Sequence, residues 1–359
     1  MSFDYLHKKM KNVISQGILD DKYRDALHVD WHILRACNYR CSYCYDAIKP
    51  KSENYSWDDM RDTASALLAL NRPYYSIRLV GGEPTIHPHL IDLVNYFFNS
   101  DKNVGMLIIT NGSRHPAYFE QLLENVAPGA MDIHISIHLE KARSEHIIEV
   151  IKAITSCGQH VTVRFMADLD YIEKGVSFHN DLVRLRKEVP FATRLRALRQ
   201  PPDFIELDSR YEPEDLIWME DADRAFVEAE KEGPVDLPLP AWGTPQHRFL
   251  DFQDMPLEHN NAMRAGLTNF LDFYCCAGTN LIRIKLDYRW SGAVCPAAKM
   301  SLLPIYSDPN FPKKAGEILK CPFNNCGCDA NYVLPKFRNL DEAEEYLAQY
   351  RLRFNDNLR

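Results

Sequence analysis

Between about residues 28 and 200, strand-like runs alternate with amphipathic helical ones, and this alternation confines the chain to few folds. The strand-like runs are "HVDWHILRA", "YSIRLVGG", "VGMLIITNG", "MDIHISIHL", "HVTVRFMAD" and "TRLRALR". Between them lie "SWDDMRDTASALLALNR", "HLIDLVNYFFNS", "PAYFEQLLENV" and "SEHIIEVIKAITSCG". Ser56 precedes an acidic first turn and Gly158 follows a last helical residue, which are start and stop signals. Six such repeats predict a parallel sheet with helices outside, either an open α/β sheet or a partial barrel. In both, chemistry gathers at the C-terminal ends of the strands. Three of those ends carry unusual residues: "CNYRCSYC" after the first strand, "GGEPT" after the second and "TNG" after the third.

The 359 residues allow one large domain and a smaller one. Residues 1–27 read as an N-terminal helical extension, because Phe3, Leu6, Met10, Val13 and Ile14 fall at helical spacing. Residues 28–200 hold the repeats. A proline-rich bridge with short acidic helical pieces follows over 201–268. Residues 269–359 carry cysteines, a hairpin in "NLIRIKLDYRWSGAVC" and a closing helix from Leu340 to about Arg353. A net charge of −8 argues against a broad nucleic-acid or anionic-membrane footprint. No apolar run approaches the length of a membrane span, and charges interrupt any signal-peptide core, so a cytoplasmic protein is expected.

A reducing compartment changes the meaning of ten cysteines, since clustered thiols there point to metal or catalysis. Cys37, Cys41 and Cys44 sit in front; Cys275, Cys276, Cys295, Cys321, Cys326 and Cys328 sit behind. Cys157 stands alone before Gly158 and reads as a small apolar residue. The front spacing C-x3-C-x2-C lets each thiolate ligate a different iron of a [4Fe–4S] cube and leaves one iron open. Zinc competes, but it usually takes four ligands, and no fourth Cys or His lies close by.

The cysteine motif, its place after the first strand and the following "GGEPT" together resemble the radical S-adenosylmethionine (radical SAM) enzyme superfamily, over roughly residues 28–200. The resemblance implies a partial (β/α)6 barrel. It implies that Cys37, Cys41 and Cys44 hold the cube and that Tyr43 packs near the adenine of S-adenosylmethionine. Gly81, Gly82 and Glu83 would receive the methionine ammonium; the physics fits, because glycines allow close approach and a carboxylate matches a cation. By the same likeness Ser136 contacts the ribose, Arg164 pairs with the methionine carboxylate and Asn111 lines the pocket mouth. Strand alternation supports the strand residues independently: His134, Ser136 and His138 share one face while Ile133, Ile135 and Ile137 share the other. A polar face in a covered parallel sheet has to line something. His138, nearest the C-terminal end, is the candidate for contacting substrate or moving a proton, with a hydrogen-bonded core histidine as the competing reading.

The tail resembles the SPASM domain, or its shorter twitch form, appended to many of these enzymes as a small cysteine-rich auxiliary domain. That likeness makes Cys275 the first ligand, Cys295 the second and two of Cys321, Cys326 and Cys328 the rest. Gly292 stands closer to Cys295 than the family pattern has it. Six thiols, against about eight for two cubes, imply one auxiliary [4Fe–4S] cluster. Zinc on four of these thiolates is the alternative. The whole then implies an enzyme that cleaves S-adenosylmethionine reductively and abstracts hydrogen from a substrate, with flavodoxin or ferredoxin as electron donor. Oxidation, epimerisation or crosslinking would suit. About 27 residues before the first strand leave no room for an N-terminal peptide-recognition domain, which favours a small molecule or sugar derivative, or a peptide recognised by the tail. A non-catalytic iron–sulfur or zinc scaffold is the other reading, and the "GGE" cradle and polar strand face weigh against it. Arg283, Lys285 and Arg289 read first as a solvated strand face and second as a seat for an acidic or phosphorylated substrate.

Overall fold

The predicted alternation folds into successive βα units whose strands lie side by side in chain order. A computed structural model of the chain describes residues 13–18, 24–44, 56–70, 72–198, 208–235, 245–249, 254–256, 268–295, 297–311, 316–324, 326 and 333–354. Strand β1 (Val13–Ile18) comes first, then β2 (Leu27–Leu34) with α1 (Trp57–Leu68), and β3 (Tyr75–Gly81) with α2 (Leu90–Phe98). Next come β4 (Val104–Thr110) with α3 (Pro116–Leu123), and β5 (Met131–Ile137) with α4 (Ser144–Ser156). The last two units are β6 (His160–Ala167) with α5 (Ile172–Arg186), and β7 (Ala192–Ala197) with α6 (Pro213–Glu232). Neighbours from β2 to β7 pair in parallel, which makes the partial (β/α)6 barrel.

Local chemistry explains the elements. The Ser56 side chain accepts from the Asp59 backbone N–H and caps α1, as its sequence position predicts. Gly158 follows α4 with φ +74°, a conformation that costs glycine little. Ile133, Ile135 and Ile137 on β5 are fully buried under the helices, whereas Ser136 on the other face is only half-buried. Trp31 and Phe97 are also fully buried in this layer.

The tail contributes to two sheets. Strands β8 (Pro245–Phe249), β9 (Asp254–Pro256), β10 (Tyr274–Ala277), β13 (Glu317–Lys320) and β14 (Lys336–Phe337) join β1 in an antiparallel sheet of order β13-β10-β14-β1-β8-β9. The predicted hairpin forms as β11 (Leu281–Ile284) and β12 (Trp290–Ser291). It does not stay with that sheet: β11 pairs in parallel with β2 and extends the barrel wall. Helix α7 (Leu340–Phe354) closes the chain.

Two expectations change. Val13 and Ile14 lie in a strand rather than a helix, because "VISQGI" is β-branched and finds ladder partners on both sides, β14 and β8. Residues 1–12 lie outside the described residues. Among the described residues the acidic region after residue 200 holds a 20-residue helix, α6, longer than the short pieces expected. Its buried Met219, Ala222, Phe226 and Ala229 form the stripe that covers α5 and β7, with Phe226 meeting Phe191 edge-on. Among the described residues no helix is long and apolar enough to cross a membrane.

Candidate active site

The cysteine loop leaves β2 at Leu34 and is fastened to the loops after β3, β4 and β5. Gly82 N–H donates to the Leu34 carbonyl and Glu83 N–H to the Ala36 carbonyl, each at 2.9 Å. That closeness is why both glycines are needed. A Cβ on Gly81 would sit 2.1 Å from the Leu34 oxygen, and one on Gly82 would sit 2.0 Å from the Ala36 oxygen. From the β4 end, Asn111 Nδ2 donates to Asn38 Oδ1 (2.9 Å), while Asn38 Nδ2 donates to Ser113 Oγ (2.7 Å). From the β5 end, Glu140 accepts from both the backbone N–H and the hydroxyl of Ser42, at 2.7 and 2.6 Å. Inside the loop a turn joins Cys44 N–H to the Cys41 carbonyl, and Tyr39 N–H points at Cys37 Sγ, 3.4 Å away. Cys41 is buried, and Cys37 and Cys44 are half-buried.

Glu83 is the buried centre of this arrangement, 1% exposed. Its Oε1 accepts from Thr85 N–H (3.0 Å), Thr85 Oγ1 and Thr110 Oγ1 (both 2.6 Å); Oε2 accepts from Asn111 N–H (2.6 Å). Burial pushes its pKa up, and the four donors oppose that shift. Oε2, with one donor, retains acceptor capacity.

All three front cysteines, Tyr43, Gly81, Gly82, Glu83, Asn111, Ser136 and His138 line one cavity of about 1360 Å³. Single-ligand pockets run roughly 300–1,000 Å³, so this one has room for a cofactor and a substrate together. Tyr43 hydroxyl and His138 Nδ1 are hydrogen-bonded at 2.7 Å, with the rings stacked 5.8 Å apart. Burial raises the Tyr43 pKa, and the nearby Cys41 adds to it, so the phenol stays protonated. Tyr39 meets His138 edge-on at 6.2 Å.

One sequence candidate and one neighbour on the same strand face sit differently. Arg164 is the cross-strand partner of Ser136, half-buried, and is not among the residues that line the cavity. His134 lies deeper and belongs to a buried network: its Nε2 meets Asp132 Oδ2 at 2.6 Å, and His160 Nδ1 meets Asp132 Oδ1 at 3.1 Å. Burial alone would raise the Asp132 pKa, but the two histidines outweigh it and hold the carboxyl below its ordinary range. His134 is thus a hydrogen-bonded core residue, two repeats of the pleat below His138.

In the tail, adjacent cysteines on β10 point opposite ways, as strand alternation requires. Cys276 is fully buried with its thiol toward the Ala343 carbonyl of α7 (3.8 Å), and burial lifts its pKa to about 12. Cys275 belongs instead to a small buried cluster against which Cys295, Leu319 and Val333 pack. Burial raises the Cys275 pKa; Lys336 opposes this, while Cys326 and Cys295 are near enough to add to it. Cys321 and Cys326 in turn sense Cys295 and Lys336. Lys336 is the direct cross-strand partner of Cys275, 2% exposed, with its ammonium donating to the Leu334 carbonyl at 2.9 Å. Cys328 lies outside the described residues.

The donor chemistry of both sets fits iron–sulfur clusters. Among the described residues no three Cys, His, Asp or Glu side chains converge on the spacing of a single metal ion. A cube places its thiolates farther apart, one at each iron. The front loop offers three thiols around an open cavity, and the tail offers Cys275, Cys295, Cys321 and Cys326 beside a buried cation.

Sequence reasoning missed Glu140, Thr85 and Thr110, which act only as hydrogen-bond partners and have no spacing signature. It also read Arg283, Lys285 and Arg289 first as a solvated strand face; all three line the cavity. Their alternation was visible, but the strand beside which β11 would lie was not.

Residues 31–170 match the sequence profile of the Radical SAM superfamily. The GTP 3',8-cyclase of Alkaliphilus oremlandii is 23% identical over 308 residues, covering 79% of this chain and 85% of the cyclase. The solved structure of native anSMEcpe with bound AdoMet and Cp18Cys peptide superposes with a TM-score of 0.51 at 12% identity, over 79% of this chain and 78% of that one. Streptococcus suis SuiB bound to S-adenosylmethionine gives 0.50 at 11% identity, over 79% of this chain and 64% of SuiB. At these identities the structural likeness establishes the fold. The superfamily's cofactors are a [4Fe–4S] cluster and S-adenosylmethionine, with auxiliary clusters in SPASM-type members.

Proposed function

Because residues 31–170 are a domain of the radical SAM superfamily, we propose that this chain is an enzyme that generates a radical at its cysteine loop and uses it on a small molecule held under the β11–β12 hairpin. The observation that carries this reading is the shared cavity: the cysteine loop, the Gly81–Glu83 cradle and the hairpin all line it. Cys37, Cys41 and Cys44 would hold the front cluster. Bound together, cluster and S-adenosylmethionine supply a 5′-deoxyadenosyl radical by one-electron reduction, from a donor such as flavodoxin or ferredoxin.

The chain's own residues orient and shield. Glu83 keeps its carboxylate fixed by four donors, so the remaining capacity of Oε2 suits an ammonium without reorganisation. The Tyr43 ring offers an aromatic face to a base, and its hydroxyl sets the orientation of the His138 imidazole at the cavity wall. His138 is thereby the group placed to hold or pass a proton to a substrate. Ser136 and Asn111 offer polar contacts at the wall. Arg164, off the cavity wall, would act on a bound carboxylate only through Ser136 or a water. In the tail, Cys275 and Cys295 with two of Cys321, Cys326 and Cys328 would hold one auxiliary cluster.

A relative that covers 79% of the chain is named a GTP 3',8-cyclase, and this supports a small-molecule substrate and a cyclase- or lyase-type reaction. The test is anaerobic reconstitution with iron and sulfide, then reductant and S-adenosylmethionine. The expected product is 5′-deoxyadenosine, absent from Cys41→Ala. A fully loaded wild-type protein that makes none, or a Cys41→Ala variant that makes as much, overturns the proposal and leaves the scaffold reading.

A further inference from the structure

We propose that the hairpin side of the cavity is an anion subsite: Arg283 and Lys285, flanked by Arg289, take the phosphate of a phosphorylated small-molecule substrate. This deepens the reading above and rests on it only in placing the substrate in that cavity.

The chain as a whole is acidic, −8, yet the cavity is lined by Arg35, Arg40, Arg78, Arg283, Lys285 and Arg289 against only two carboxylates, Glu83 and Asp287. Part of this excess is spent within the protein. Arg78 Nε stands 3.0 Å from Asp30 Oδ1, and Arg289 is forked onto Asp287 at 2.7 and 2.6 Å. Glu83 is enclosed by its four donors. Arg35 and Arg40 are exposed at the rim, on the cysteine side. Arg283 and Lys285 remain on the hairpin side, both half-buried. Arg283 is held by a bond from Nη1 to the Val294 carbonyl (2.7 Å), a neutral partner that fixes the guanidinium without cancelling its charge. Lys285 has no side-chain partner among the described residues.

The placement follows from the sheet. Arg283 pairs with Asp30 across the β11–β2 ladder, and Asp30 with Arg78 across β2–β3, so the three side chains form one row on the cavity face. Lys285 follows two residues on, toward the C-terminal ends where the cysteine loop begins. Both cations line the cavity from β11 and its turn rather than from the cysteine loop, and so serve the second occupant of the cavity. A phosphate, nearly doubly charged with three acceptor oxygens, satisfies a fixed guanidinium fork and an ammonium together.

The full chain, reconstituted anaerobically, is titrated with inorganic pyrophosphate by calorimetry, and with citrate as the carboxylate comparison. Pyrophosphate is expected to bind more tightly than citrate and to weaken as salt is added. Lys285→Gln and Arg283→Gln should each loosen it at least about tenfold. Arg224→Gln, on the exposed face of α6, should leave it unchanged. No pyrophosphate binding, equal affinity in Lys285→Gln, or preference for citrate or an acidic peptide overturns the subsite. Formation of 5′-deoxyadenosine by the wild type is measured in parallel. Product without pyrophosphate binding strikes the subsite alone, and pyrophosphate binding without product strikes the radical reading and leaves the subsite standing.

Discussion

Gly82 carries more of the site than any charged residue near it. Its backbone and that of Glu83 serve as the ladder on which the cysteine loop hangs, at 2.9 Å from Leu34 and Ala36. The glycines were expected to make room for a ligand; the room they make in this structure is for the loop itself. A methyl group on Gly82 would meet backbone oxygens at 2.0 and 2.3 Å, and neither can swing aside as a side chain tip would. Gly82→Ala is therefore expected to displace residues 35–37 and to cost about 3 kcal/mol of stability, the upper part of the range for overpacking. Thermal unfolding reads the stability, and iron retained after reconstitution reads the loop. A variant that unfolds as wild type and keeps its full iron would show that the loop does not depend on this contact. At the same scale, Glu83 was legible from its motif but its four donors were not. Three of the four bonds come from Thr85, within the motif itself, or from Thr110, a strand end whose neighbour is set by the sheet order.

At the scale of elements, the barrel was largely readable because period-two and helical-period patterns alternate without interruption from β2 to β6. Strand faces were readable too: Ile133, Ile135 and Ile137 pack outward and Ser136 lines the cavity, as alternation requires. What could not be read was long-range pairing. Nothing in "LIRI" names β2 as its neighbour, so three cations that face a cavity looked like a solvated edge. Nothing in "VISQGI" names β14 and β8 either. The same alternation makes a sharp prediction for β10. Cys275 faces Cys295 and Lys336, while Cys276 faces α7. Cys276→Ala should keep the iron of both clusters, about eight per chain, and Cys275→Ala should retain about four. Iron and sulfide analysis with low-temperature electron paramagnetic resonance distinguishes the two. If Cys276→Ala is the variant that loses iron, the register of β10 against β14 is wrong by one residue.

For the molecule as a whole, the question is what keeps the hairpin roof aligned over the cysteine loop, since the two belong to parts of the chain some 240 residues apart. The β11–β2 ladder holds the hairpin to the barrel wall, and Arg72 adds a tie at its root. It leaves the barrel between α1 and β3, is 6% exposed, and donates from Nη2 to the Thr279 carbonyl at 3.0 Å and to the Tyr350 hydroxyl. Its guanidinium lies 3.8 Å from the Phe354 ring centroid and 4.8 Å from that of Tyr350. Burial lowers its pKa to about 10, so it remains charged at neutral pH. Thr279 sits in the turn between β10, which carries Cys275, and β11, which carries Arg283. One side chain thus joins barrel, tail sheet and α7 at the root of the hairpin, and Arg353 adds an outer pair to Asp25 at 2.9 Å. Removing it forfeits charged hydrogen bonds and cation–π stacking, about 3 kcal/mol together. Arg72→Lys keeps the charge but loses the fork, and should recover only part. Hydrogen exchange locates the effect: α7 and β10 are expected to open more readily in Arg72→Ala while β4 and β5, sealed in the barrel core, keep their protection. Loss of protection in β4 and β5 to the same extent would mean that the tail and barrel unfold as one unit, and that Arg72 is an ordinary part of a single core rather than the tie between two.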